Sequence, residues 1–208
     1  SEVTHMAMQA QTPVLWFNNE EQGEKVMTKI YQSALGIDKA TLFANTKVYQ
    51  EEFNRLLNGR LLMVDQALIT KGMVERLCEK YKPSLIVIDQ LDKIKGFKGD
   101  RNDLEMGAIY QWARELAKTY GPVIGVCQAD GSGDGVKWLT MANVADAKTA
   151  KQAEADWIIG IGKTYDPDFE YRRFINISKN KLDGDDDTVP EWRHNRCEVT
   201  IRPEIGRY

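Results

Sequence analysis

Apolar residues along the 208-residue chain follow two rhythms: short unbroken runs, and the three-to-four spacing of amphipathic helices. The runs "PVLWF" (13–17), "LLMVD" (61–65), "LIVID" (85–89) and "PVIGVCQ" (122–128) predict buried strands. Pro13 stands at the start of the first, where a missing N–H does little harm. Helical spacing fills the intervals. "EQGEKVMTKIYQSALG" puts Val26, Ile30, Tyr31, Ala34 and Leu35 on one side and stops at Gly36. "VYQEEFNRLLNG" repeats the design and closes at Gly59; "GMVERLCEKYK" and "DLEMGAIYQWARELAKTYG" follow the same rule. A further helix is predicted in the opening "SEVTHMAMQAQ", and another around "AKTAKQAEA" after the glycine- and aspartate-rich "DGSGDG". Three closely spaced extended segments end the chain, "DWIIGIG", "RRFINIS" and "CEVTIR", with "LDGDDD" as a turn between two of them. Strands alternating with helices of a dozen residues predict an α/β fold, a mostly parallel sheet covered on both faces, with antiparallel strands at its C-terminal edge. No repeat or linker interrupts the chain, so residues 1–208 read as one domain.

Composition narrows the partners. Hydrophobic content of 42% with 28% charged residues is ordinary for a globular chain. A net charge of −3 does not advertise nucleic acid, so any DNA contact must come from local basic patches. The apolar runs are too short for a membrane span and no leader pattern opens the chain, which points to the cytoplasm. Cys78, Cys127 and Cys197 lack metal spacing and read as reduced thiols; His5 and His194 form no zinc cluster.

In open α/β sheets, ligands gather at the carboxyl ends of the strands. Polar residues follow the apolar runs at Glu20, Asp65, Asp89, Gln128 and Asp130, and Lys179 and Lys181 follow "FINIS" in the same way. One such residue merely ends a strand. Together, carboxylates, an amide and a pair of cations suit phosphoryl transfer, which needs a metal-holding carboxylate, a group to orient water, a polar sensor and positive charge.

The ordered set "VLWFNNEE", "LIVIDQLDKI", "PVIGVCQ", "AKQAEADWIIGI" and "ISKNKLDGD" resembles the RecA-like core of the DnaB-type hexameric replicative helicases, the phage-encoded ones in particular. The resemblance covers nearly the whole chain and implies a RecA-like three-layer sandwich. It implies that Glu20 activates the attacking water, that Asp89 holds Mg2+ and that Gln128 senses the γ-phosphate of ATP. It further implies that Lys179 and Lys181 act as a finger in a neighbouring subunit's site, with lysine where the family has the forked arginine. A phage origin would mean the host's bacterial cytoplasm.

The family's phosphate loop, G-x-x-x-x-G-K-[ST], is absent from these residues. Ser1 fits the final position of that motif, which implies a chain truncated just after the loop's lysine and Ser1 as a nucleotide contact. Loss of the loop and its strand implies a fragment that does not hydrolyse ATP alone and carries two unpaired strand edges. Two loops offer cations, glycines and an aromatic for single-stranded DNA. One is "DKIKGFKGDR" with Lys95, Lys98 and Phe97; the other is "DGSGDGVKWLTMANVADAK" with Lys137 and Trp138. Solvated surface loops, with Trp138 tucked against the domain, are the alternative. The expected whole is an ATP- and Mg2+-dependent DNA-unwinding ring of identical subunits. Two rival readings remain, a RecA-type recombinase or repair ATPase, and a non-catalytic RecA-fold scaffold or loading factor.

Overall fold

A computed structural model describes residues 1–97, 101–145, 148–181 and 194–208. Lys98 and the "LDGDDD" turn (182–187) fall outside the described residues. The chain groups into two compact units.

The first unit spans Ser1–Phe97, Trp112–Val126 and Arg202–Tyr208. Its sheet contains β1 (Val14–Asn18), β2 (Leu61–Asp65), β3 (Leu85–Ile88) and β4 (Val123–Gly125), all parallel, in the order β2-β1-β3-β4. Val14 stands opposite both Leu61 and Leu85, which brings the ends of β1 and β3 level. Because side chains alternate along a strand, Val14, Leu85 and Val87 share one face. There they pack with Ala7 of α1 (Glu2–Gln9), Val26, Ile30 and Ala34 of α2 (Gly23–Leu35), and Phe53 and Leu57 of α4 (Thr46–Leu57). Leu15, Phe17, Ile86 and Ile88 turn the other way and are equally buried. Each such side chain contributes about 1.5–3 kcal/mol by leaving water. Val74 and Cys78 of α5 (Lys71–Tyr81), with Trp112 and Leu116 of α6 (Asn102–Thr119), join the buried set. The Trp112 indole N–H donates to Glu75 Oε1 at 3.0 Å and ties α6 to α5.

The last residues return to this unit. Arg207 donates to the carbonyls of Ser33 and Ala34 at 2.6 and 2.9 Å, and the Gln32 amide donates to the Glu204 carbonyl at 2.5 Å. The tail therefore satisfies acceptors in the final turn of α2, which a helix leaves without partners of its own.

The second unit, Lys98–Gln111 and Cys127–Ile201, holds an antiparallel sheet β5-β6-β7. Its strands are β5 (Trp157–Gly162), β6 (Arg172–Asn180) and β7 (Arg196–Thr200), with a register shift between Ile158 and Ile159. The loop before α7 (Lys148–Glu154) lies against β5, and a Cβ at Gly162 would collide with the Lys137 carbonyl.

The mostly parallel sheet with antiparallel strands late in the chain is the arrangement the spacing predicts. Two details differ. A six-residue helix, α3 (Lys39–Ala44), is too short to show a period and starts on Asp38, whose carboxylate accepts the Thr41 N–H at 2.7 Å. β4 is three residues long, although the Val126 N–H still donates to the Ile88 carbonyl at 2.9 Å, so Gln128 stands beyond the strand. No described helix is long and apolar enough to cross a membrane.

Candidate active site

Parallel pairing sets the carboxyl ends of β1 and β3 side by side, and the Asp89 N–H donates to the Phe17 carbonyl at 2.9 Å. The residues following these strands therefore share one edge of the sheet. Asp89 is half-buried, and burial first, then the negative charge of Glu20, pushes its carboxyl above the usual range. Glu20 lies on the loop between β1 and α2. Its Oε2 accepts a hydrogen bond from the Gln90 side-chain amide at 2.6 Å, and the Lys93 ammonium lies 3.6 Å from its Oε1. Nearby, Lys29 bonds Glu21 at 2.9 Å and holds that carboxyl below its ordinary range.

The loop carrying Glu20 is secured from below. Asn18 is fully buried, and its amide donates to the Glu21 carbonyl at 2.7 Å and to Asp65 Oδ1 at 2.6 Å. Asp65 Oδ2 accepts the Gly23 N–H at 3.1 Å. Gln22, the residue before α2, makes no side-chain cap, so Asp65 at the tip of β2 takes that role. A Cβ on Gly23 would overlap the Asp65 carboxylate.

Two oxygens here are suited to a cation. Asn18 Oδ1 and Asn19 Oδ1 are buried without a hydrogen-bond partner among the described residues. Together with the half-buried Asp89 they form a hard-oxygen donor set short of positive charge, which fits Mg2+. No arrangement of the described residues fits a nucleotide's phosphates. The triplet Gly162-Lys163-Thr164 is the tail of a phosphate-loop motif in letters only, because it ends β5 and leads to a short 3-10 turn at Pro167–Phe169 rather than a helix. Ser1 precedes α1 without a side-chain cap, and its hydroxyl lies 3.4 Å from Glu2 Oε1.

The other expected residues occupy defined positions. Lys95 is exposed while its backbone is fixed, its N–H donating to the Ile69 carbonyl at 3.0 Å and its carbonyl accepting the Lys71 N–H at 2.8 Å. Phe97 meets Trp112 edge-on at 5.3 Å. In the second unit Gln128 is exposed, and its carbonyl accepts the Ala145 N–H at 3.3 Å. The Lys137 ammonium lies 3.9 Å from the centre of the Phe169 ring, and Trp138 packs edge-on against Phe174 at 5.2 Å. Trp138 is thus tucked against its own unit. Lys179 donates to the Gln152 carbonyl and Lys181 to the Ala153 carbonyl, the latter at 2.7 Å, so both cations sit on the last turn of α7.

No protein-family model and no curated protein sequence matches the chain. Solved structures do. The chain is similar to the isolated ATPase domain of a DnaB-like replicative helicase at 14% identity, with a TM-score of 0.76, covering 99% of this chain and 76% of that one. It is similar to a second DnaB-like replicative helicase, solved for its interactions with primase, at 14% identity and a TM-score of 0.76, covering 99% of this chain and 52% of that one. The chain thus spans about half the length of that second helicase. Its fold is the RecA-like α/β fold of DnaB-type ATPase domains.

Proposed function

We propose that the chain is the ATPase core of a DNA-unwinding motor of the DnaB type, completed by a phosphate loop contributed by chain preceding Ser1. The observation that carries this reading is the pair Glu20 and Asp89 at the level ends of adjacent parallel strands, in a fold of that class. The two carboxylates divide the labour. Asp89, reluctant to ionise until a cation arrives, holds Mg2+ with help from the carbonyl oxygens of Asn18 and Asn19. The bound Mg2+ supplies charge neutralisation for the phosphates of ATP. Glu20, more exposed and anchored through Oε2, takes the proton of an attacking water at Oε1. Gln128 reads the γ-phosphate, and Lys179 and Lys181 serve a neighbouring subunit's site in a six-membered ring. Lys95, Lys98 and Lys137 follow the backbone of single-stranded DNA.

The test is ATP hydrolysis by the protein with its upstream segment. Asp89→Asn and Glu20→Gln should each lower kcat by at least about a hundredfold while the protein stays folded. Wild-type turnover in Glu20→Gln removes that residue from the mechanism. The 208-residue chain alone should show no micromolar binding of Mg·ATP by calorimetry, and such binding would refute the need for an added phosphate loop.

A further inference from the structure

We propose that Gln90 is the positioning residue for Glu20, an inference that rests on Glu20 activating the water. A glutamate on a surface loop has several rotatable bonds and is 36% exposed here, so its carboxylate wanders unless held. The Gln90 amide holds it at 2.6 Å by a charge-assisted hydrogen bond. That amide engages Oε2, whereas Oε1 faces the looser Lys93 contact at 3.6 Å.

Three observations mark Gln90 as built for this task. It is buried to 7% exposure, so a polar side chain has been taken out of water to make the bond. Its backbone is left-handed, φ 54° and ψ 63°, a conformation disfavoured for any residue but glycine, asparagine or aspartate. Strain of this kind persists where the surroundings enforce it, and they do so here. The Gln90 carbonyl accepts the Lys93 N–H at 2.9 Å and the Asn19 amide at 3.4 Å, while the next residue, Leu91, is 2% exposed and donates its N–H to the Val126 carbonyl.

The chemical consequence comes from sequence adjacency. Gln90 is one peptide bond from Asp89, so a single rigid turn carries both the cation-holding carboxylate and the group that aims the other carboxylate. A water bound between them then has a fixed direction of approach, which is where orientation contributes most to rate.

The experiment compares Gln90→Met, Gln90→Gly and Glu20→Gln in the protein with its upstream segment, reading kcat and KM for Mg·ATP alongside thermal unfolding. Methionine keeps the length and burial without the donor, and glycine relaxes the left-handed backbone while removing the side chain. Both Gln90 variants should lose roughly ten- to a hundredfold in kcat with KM within about twofold. Gln90→Gly should unfold no lower than wild type by more than about 3 °C. Wild-type kcat in either Gln90 variant, with Glu20→Gln inactive, overturns the proposal, as does a loss of kcat that only follows a loss of folded protein. Turnover surviving in Glu20→Gln overturns the parent reading instead, and the two failures are thereby told apart.

Discussion

At the scale of a residue, Asp89 presents an acid that resists ionising, because water is partly withdrawn from it and Glu20 adds like charge. A carboxyl raised in the folded state stabilises the fold in its neutral form. That contribution is complete below the ordinary aspartate range and is lost as pH rises through the raised value. Asp89→Asn keeps the neutral form at every pH. In metal-free buffer the variant should therefore unfold at the same temperature as wild type in acid, and at a higher one near neutrality. Added Mg2+ should narrow the gap by stabilising wild type alone. Thermal melts at several pH values with and without Mg2+ check this, and a gap that shrinks as pH rises would contradict it. Asp89 was legible in the sequence because an apolar run points at it. Gln90 was not, since its partner lies seventy residues earlier and its left-handed backbone leaves no mark in a glutamine.

Among the elements, α2 begins without a good cap of its own. Its first N–H is met by Asp65, forty-two residues away, and the same carboxylate holds Asn18. Asp65→Ala should cost about 1 kcal/mol. Gly23→Ala should cost a similar amount because the new methyl evicts that carboxylate, although alanine is the better helix former. Combined, the two should cost clearly less than their sum, with a coupling of about 1 kcal/mol in urea titrations. Strict additivity would mean that the cap contributes nothing. The elements themselves were largely written in the chain: "LLMVD" is β2 residue for residue, and α2 closes at Gly36 as its spacing predicts. What joins them was hidden, because the Asp65 cap and the Arg207 bonds to the end of α2 are contacts between distant stretches that no local period encodes. Asp65 stood out only as a polar residue at a strand tip.

On the scale of the molecule, each sheet ends in an apolar strand. β4 closes the parallel sheet with Ile124 and the adjoining Val126 exposed, and β5 closes the antiparallel one with Trp157, Ile159 and Ile161 exposed. Open edges with apolar side chains invite pairing between chains. Light scattering of the 208-residue chain should show self-association that grows with concentration. Ile159→Lys with Ile161→Lys should reduce it while leaving the melting temperature within a few degrees. A monodisperse monomer at high concentration would contradict the expectation. In the second unit, Lys179 and Lys181 already hold the last turn of α7. A cation so engaged can reach a phosphate elsewhere only by letting go of its own helix, so binding and fraying become two sides of one exchange. α7 would then serve as a latch whose grip reports whether a neighbouring subunit has been served.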